Sequence, residues 1–362
     1  MKVAYFLGGL NRGGAETLIL DICRQHEKVP YDFMCVYRHE GNMSDEFKAS
    51  GAPMIQISKT KGYLRYLWNI RRTLQREQVK IVHSQTPSNT LLLAFALIGT
   101  GIQIITTFHG HSFADAPWWQ REIVYKASKK IICVSQYQKR YYEQKWGLPK
   151  ENKLQVVYNG IDFSKFDAAG ERVNGLMDEG TIRLAMIGSF NSGRSQKYVC
   201  QAIKILKDRC VNKFEFYFIG GKFQGEEWIY EECVQYCHEN QLQDIVHFEG
   251  ARSDVPEILH QIDGFVYSTV TDTFGIAVVE AMAVGVPVIV NDWEVMMEIT
   301  HQGEWATIFQ TANVEQLADE MEKLIKHPAE YKTKAMRCQA DVKQHFSIQS
   351  HINELLKIYE SI

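Results

Sequence analysis

Apolar positions along this chain fall into short runs that alternate with stretches of helical spacing, and several of the runs end at a glycine. In the first half, Lys2–Leu7, Tyr31–Tyr37, Ile81–Ser84, Gln103–Phe108, Lys130–Val134 and Leu154–Val157 read as strands, with a helix over Ala15–Gln25 and helical patterns between several of the others. Runs that are apolar throughout, such as Ile131-Ile132-Cys133-Val134, fit strands covered on both faces, hence a parallel sheet. The pattern then restarts. Arg183–Ile187, Phe214–Ile219, Val246–Glu249, Gly264–Tyr267 and Pro287–Val290 read as strands, with helices predicted over 195–209, 226–240, 254–261 and 275–284. Two successive doubly wound α/β units are the simplest account, divided in the Gly-, Asp- and Asn-rich stretch Asn159–Gly180. Ligands of such sheets lie beyond the carboxyl ends of the strands, so the active site is expected in a cleft between the two units.

Composition narrows the classes. A chain of 362 residues, 45% apolar and with a net charge of −3, can bury two cores and is not disordered. Met1–Leu7 is too short for a signal peptide, and the longest apolar run, Leu91–Ile98, is about half a membrane span, so a cytoplasmic location is expected. The eight cysteines contain no Cys-x-x-Cys pair. Cys233 and Cys237, with His238 beside them, lack the second pair that a four-ligand metal site needs, and read as packing thiols in a reducing compartment. Charge is uneven: residues 1–163 hold 22 Lys and Arg against 13 Asp and Glu, a net +9, and residues 164–362 carry −12. Only the first half is suited to an anionic partner.

Three segments carry candidate chemistry. Gly8-Gly9-Leu10-Asn11-Arg12-Gly13-Gly14-Ala15-Glu16 follows the first strand and opens a helix, where glycines admit a ligand to the backbone and the helix N-terminus offers N–H groups to phosphate. It lacks the Gly-x-Gly-x-x-Gly order of a nicotinamide site. Gly188-Ser189-Phe190-Asn191-Ser192-Gly193-Arg194-Ser195 is a near-miss to the phosphate loop of magnesium-dependent nucleoside-triphosphate binders, with Arg194 in the lysine position. The acidic partner such a site needs would be Asp263, which precedes its strand instead of ending it. A guanidinium at a helix N-terminus remains a good diphosphate clamp. In Ser268–Ile289, Asp272 lies in a loop and Glu280 in a helix among Ile, Ala, Val and Met. A carboxylate there is costly to bury unless it accepts hydrogen bonds, as from a ribose diol.

Asp272-x7-Glu280 followed by Ala-Met-Ala-x-Gly-x-Pro-Val-Ile resembles the Glu-x7-Glu signature of retaining glycosyltransferase family 4, the group 1 glycosyltransferases of GT-B fold. Further likenesses span nearly the whole chain: Gly13-Gly14-Ala15-Glu16, Ile81-Val82-His83-Ser84, Thr107-Phe108-His109-Gly110, Asn159-Gly160-Ile161-Asp162, the helix from Arg194 to Ala202, and Phe346-Ser347 through Tyr359. The resemblance implies two Rossmann-like domains facing across a cleft. Residues 1–163, with a returning helix over 345–362, would be the acceptor side, and 164–344 would bind the nucleotide sugar. It implies that Glu280 holds the ribose, and that Phe274, Gly275 and Ile276 present backbone N–H groups to donor sugar and phosphates. Gly13 and Gly14 would approach the diphosphate, His109 would face the donor sugar, and Arg252 would lie near the base.

The sequence departs from the family pattern at three places. Asp272 replaces the first Glu, Ser189 stands where the family has Arg, and Arg194 where it has Lys, so Lys197 or Arg252 would have to supply the missing positive charge. No Asp-x-Asp occurs, and a front-face transfer without metal or cofactor is expected, with Arg194 stabilising the leaving phosphate and Asp272 or His109 the candidate groups beside the sugar. A UDP-sugar is favoured over a GDP-sugar, and a glycan or lipid-linked acceptor in surface polysaccharide or glycoconjugate synthesis. The alternatives are the triphosphate-binding module and a nucleotide-sugar-binding homologue without catalysis.

Residues 59–76, basic and aromatic, place Leu64, Leu67, Ile70, Arg71 and Leu74 at helical spacing. That fits either a peripheral contact with anionic lipid or a core-packed helix with a solvated face. Trp118-Trp119 reads as acceptor channel or core. Nucleic acid is not expected, since the basic residues are dispersed and no recognition motif occurs.

Overall fold

The computed structural model describes residues 1–59, 62–168, 180–211 and 213–362. They divide into two units: Met1–Asp162 with Phe346–Ile362, and Phe163–His345. Residues 169–179 of the expected boundary stretch lie outside the described residues.

The first unit is a seven-stranded parallel sheet: β1 (Lys2–Gly9), β2 (Asp32–His39), β3 (Met54–Gln56), β4 (Ile81–Ser84), β5 (Gln103–Phe108), β6 (Ser128–Cys133) and β7 (Leu154–Val156), in the order β3-β2-β1-β4-β5-β6-β7. The second is a six-stranded parallel sheet: β8 (Ile182–Ile187), β9 (Phe214–Ile219), β10 (Val246–Gly250), β11 (Gly264–Tyr267), β12 (Val288–Asn291) and β13 (Thr307–Phe309), in the order β10-β9-β8-β11-β12-β13. Strand order reverses beside β1 and beside β8, and the glycine-bearing turns at Gly8 and Gly188 leave those two strands. These are the switch points at which doubly wound sheets bind ligands. The expected strands are all present. The sequence pattern missed β3 and β13, three-residue edge strands too short to show a period.

Each sheet is covered on both faces, which is why its central strands are apolar throughout. In the first unit the C-terminal helix Ile348–Glu360 places Ile348, Ile352, Leu355, Ile358 and Tyr359 in one core with Val3, Tyr5, Leu7, Ile19 and Ile22. Its entry is seated by Gly160. A Cβ there would stand 2.6 Å from His351 Cβ and 2.8 Å from Ile348 Cα, so any larger residue would push the helix away.

The basic segment forms helix Tyr63–Arg76, whose buried stripe is Tyr66, Ile70 and Leu74. Leu64, expected in the apolar stripe, is 81% exposed, with Tyr63 and Trp68 also outward. Arg71 turns to the carbonyl of Ile98. Trp118 and Trp119 are exposed and do not join the core. Among the described residues, no helix is long and apolar enough to cross a membrane. All eight cysteines are free thiols, seven of them buried.

Candidate functional site

In the second unit the chain leaves β8 at Gly188 and reaches helix Gln196–Asp208 through a loop that carries Arg194. The Arg194 guanidinium lies against the backbone of Gly188, where a Cβ would come within 2.5 Å of Nη1. Nη1 donates to the carbonyl (3.0 Å) and hydroxyl (3.1 Å) of Ser189. Nε donates to the phenol of Tyr267 at 2.8 Å, and that phenol donates to Asp272 Oδ2 at 2.5 Å. Ser189, Arg194 and Asp272 therefore meet, joined by a tyrosine that sequence reasoning did not single out. Its only signal was a polar tip closing the strand Gly264–Tyr267. Tyr267 is buried, and desolvation raises its phenol well above its ordinary value, so it stays protonated and bridges a cation to an anion. The two loops are stitched together. The Ser195 N–H donates to Ser268 O (3.0 Å), that of Val270 to Gly193 O (2.9 Å), and the Thr269 hydroxyl to Gly193 O (2.9 Å). Among the described residues no partner is found for Arg194 Nη2, so these contacts hold the guanidinium with one edge available to an anion.

The loop after Asp272 leads into helix Ile276–Ala283 through Phe274, buried, and Gly275, whose φ of +90° is left-handed. That conformation starts the helix abruptly, and its first N–H groups have no acceptor within the helix. One turn on, Glu280 has a side chain only 13% exposed, with Lys165 Nζ 3.8 Å from Oε1. Lys165 was missed as well, because its neighbourhood arises only from the folding of a segment distant in sequence. Lys197 and Arg252, expected to strengthen the phosphate clamp, are engaged elsewhere. Lys197 pairs with Glu232, and Arg252 is held by Asp254 (2.9 Å) and Glu249 (3.0 Å).

The loop is not a triphosphate cradle. The N–H of Phe190 donates to Gly221 O, Ser192 to the Glu226 carboxylate, Gly193 to Asn191 Oδ1, Arg194 to Asn191 O and Ser195 to Ser268 O. Amides already satisfied within the protein cannot wrap a phosphate chain. Asp263 accepts from the backbone N–H of Arg183, at the opposite end of the strands. Among the described residues no three His, Cys, Asp or Glu side chains converge as a metal site requires.

In the first unit, Gly13 precedes helix Gly14–Arg24, and a Cβ on it would come within 2.7 Å of Glu16 Oε2. His109 follows β5. Its Nε2 lies 3.0 Å from Gln85 Oε1, an oxygen that can only accept, so the ring carries its proton on Nε2. Burial, and then the neighbouring His351, lower the His109 pKa to about 4, leaving the ring neutral at pH 7. His83, one strand over, is held at both ring nitrogens at 2.6 Å, by Tyr359 and by Thr107. Its role is to fix the C-terminal helix to the sheet.

Comparison with known proteins accords with this geometry. Residues 12–165 match the family model for Glycosyltransferase Family 4, and residues 170–344 that for Glycosyl transferases group 1. The putative glycosyltransferase EpsF of Bacillus subtilis (strain 168) is 23% identical over 312 residues, covering 80% of this chain and 79% of its own. The UDP-Gal:alpha-D-GlcNAc-diphosphoundecaprenol alpha-1,3-galactosyltransferase of Escherichia coli is 24% identical over 268 residues, covering 69% and 67%. The crystal structure of Anabaena Alr3699/HepE in complex with UDP-glucose shares 18% identity, and the two chains match over their full lengths with a TM-score of 0.86. Two family models that together span nearly all of the chain, matched to two parallel doubly wound sheets, show that it belongs to the group 1 glycosyltransferases of GT-B fold.

Proposed function

We propose that this enzyme transfers a sugar, with retention of anomeric configuration, from a UDP-sugar to a glycan or lipid-linked acceptor in surface polysaccharide or glycoconjugate synthesis, on the cytoplasmic side. The observation that carries the reading is the cradle of Arg194, held by Gly188, Ser189 and Tyr267 with one edge open, and coupled through Tyr267 to Asp272 in the loop that leads into helix Ile276–Ala283. A locked guanidinium near helix N–H groups suits a diphosphate whose negative charge grows as it leaves. Glu280 accepts from the ribose hydroxyls, with the Lys165 ammonium 3.8 Å from its carboxylate. Phe274, Gly275 and Ile276 offer main-chain donors to sugar and phosphate. Gly13, Gly14 and His109 keep the roles expected of them, His109 as a neutral hydrogen-bonding ring. The leaving phosphate accepts the acceptor's proton on the same face of the sugar, so no metal and no protein nucleophile are required. UDP is favoured because the E. coli relative is named for UDP-Gal and the Anabaena structure holds UDP-glucose. The acceptor class follows relatives named for diphosphoundecaprenol-linked sugars.

The test is thermal stability with UDP, GDP or ATP, each with EDTA and with magnesium. A ligand bound only by the folded state raises stability by RT ln(1 + [L]/Kd), about 2.7 kcal/mol at a hundred times Kd. A shift with UDP in EDTA is expected, and NMR of the product anomer then checks retention. A shift confined to ATP with magnesium would overturn the proposal.

A further inference from the structure

At the carboxyl ends of β1 and β2, Gly8 lies near a second anchored arginine. Arg38 Nε donates to the Tyr66 phenol at 2.9 Å and Nη1 to Asn89 Oδ1 at 3.2 Å, with the guanidinium 5.7 Å from the centre of the Tyr66 ring. Among the described residues no carboxylate pairs with it. Glu40, two residues on, accepts from the Tyr37 phenol at 3.0 Å and lies 3.6 Å from Lys48. Asn89 is only 2% exposed, and among the described residues its Nδ2 has no acceptor. Arg38 fixes the amide's orientation, because a guanidinium donates and must face the oxygen. The unsatisfied amide faces Gly8, where a methyl would stand 3.7 Å from Nδ2 and 3.9 Å from Oδ1.

Two groups that can only donate, one of them permanently charged, are thus set beside each other with donors to spare. A neutral hydroxyl would leave the guanidinium unpaired, and a cation would be repelled. An anion with several acceptor oxygens satisfies both. Helix Tyr63–Arg76, which supplies Tyr66, also presents Tyr63 and Leu64 to solvent, so apolar surface adjoins the site. We propose that Arg38 and Asn89 form a subsite for a phosphate or diphosphate carried by the acceptor. The role as an acceptor site rests on the transferase reading; the anion site itself stands on this unit alone.

The experiment titrates UDP-saturated protein with farnesyl diphosphate, farnesol and inorganic pyrophosphate by calorimetry, in wild type, Arg38→Gln and Asn89→Asp. Asn89→Asp is nearly isosteric and keeps Arg38 paired, so the fold is retained while a carboxylate now repels the anion. Farnesyl diphosphate is expected to bind wild type, and each variant to weaken it at least about tenfold. UDP affinity should be unchanged and farnesol should not bind. Pyrophosphate binding as tightly as farnesyl diphosphate, with the same losses in the variants, also supports the subsite and assigns it to phosphate without lipid. Equal affinity in all three proteins, or farnesol binding as well as the diphosphate, overturns it. Failure of UDP to bind counts against the donor reading alone, since the pyrophosphate titration still reads the anion site.

Discussion

Tyr267 shows how one hydroxyl can connect two charged groups. Asp272 is a methylene shorter than the family's glutamate, yet its carboxylate is still coupled to Arg194 through the phenol. Tyr267→Phe preserves the packed ring and removes the bridge. Hydrogen bonds to charged groups are worth about 1.5–3 kcal/mol each. If Arg194 must be held for the leaving phosphate, turnover should fall by about tenfold or more, with a smaller loss of UDP affinity. Steady-state kinetics with calorimetry for UDP would check this, and an unchanged kcat would show that the bridge only packs. Asp272, Arg194 and Glu280 were legible as residues, because carboxylates and guanidinium groups beside glycines and apolar helices stand out in a sequence. Their partners Tyr267 and Lys165 were not, since a tyrosine ending a strand and a surface-type lysine carry no local pattern that names their contacts.

Elements were read most accurately where burial is strongest. β4, β5, β9 and β11 begin and end where the apolar runs do, because a central parallel strand is covered on both faces. Edge strands and amphipathic helices were harder. In helix Tyr63–Arg76 the expected positions Ile70 and Leu74 are buried, together with Tyr66, which the spacing did not single out. Leu64 is left outside beside Tyr63 and Trp68, with Arg72 stacked over the Trp68 ring at 5.0 Å. Apolar side chains flanked by Arg65, Arg71 and Arg72 match an interface with anionic lipid. The expected result is cosedimentation with phosphatidylglycerol vesicles that weakens in high salt. It should drop by about a hundredfold or more in a Leu64→Ser, Trp68→Ser double variant, at about 1.5–3 kcal/mol for each large apolar side chain removed. Equal binding to neutral vesicles would count against a contact with anionic lipid.

For the whole molecule, acid should be the weak point. His83, His109 and His351 are buried in the first unit, and burial lowers all three: His109 and His351 to about 4, and His83 well below its usual value. Unfolded, each takes up a proton near pH 6.5; folded, it does not do so until far lower. Between those values the unfolded state binds more protons, so stability is complete above about pH 6.5 and declines as pH falls toward 4, by up to about 1.4 kcal/mol per pH unit for each histidine. Thermal midpoints measured from pH 8 to 4.5 should be level and then drop, with amide exchange in the first unit rising before that in the second. A flat profile would mean that folded and unfolded chains take up the same protons over this range.

The sequence by itself determined the repeated strand–helix alternation, the parallel character of both sheets and the carboxylates and guanidinium around which the site is built. Each of these depends on local periodicity or on the cost of placing charge among apolar residues. Only the tertiary structure decided that Tyr267 couples Arg194 to Asp272, that Lys197 and Arg252 are bound to acidic neighbours, and that the loop amides from Ser192 to Ser195 are already satisfied. It also decided that Arg38 and Asn89 meet. The pairings of Arg194 with Tyr267, Lys197 with Glu232 and Arg38 with Asn89 join segments far apart in the chain, and those hydrogen bonds exist only once the fold brings the segments together.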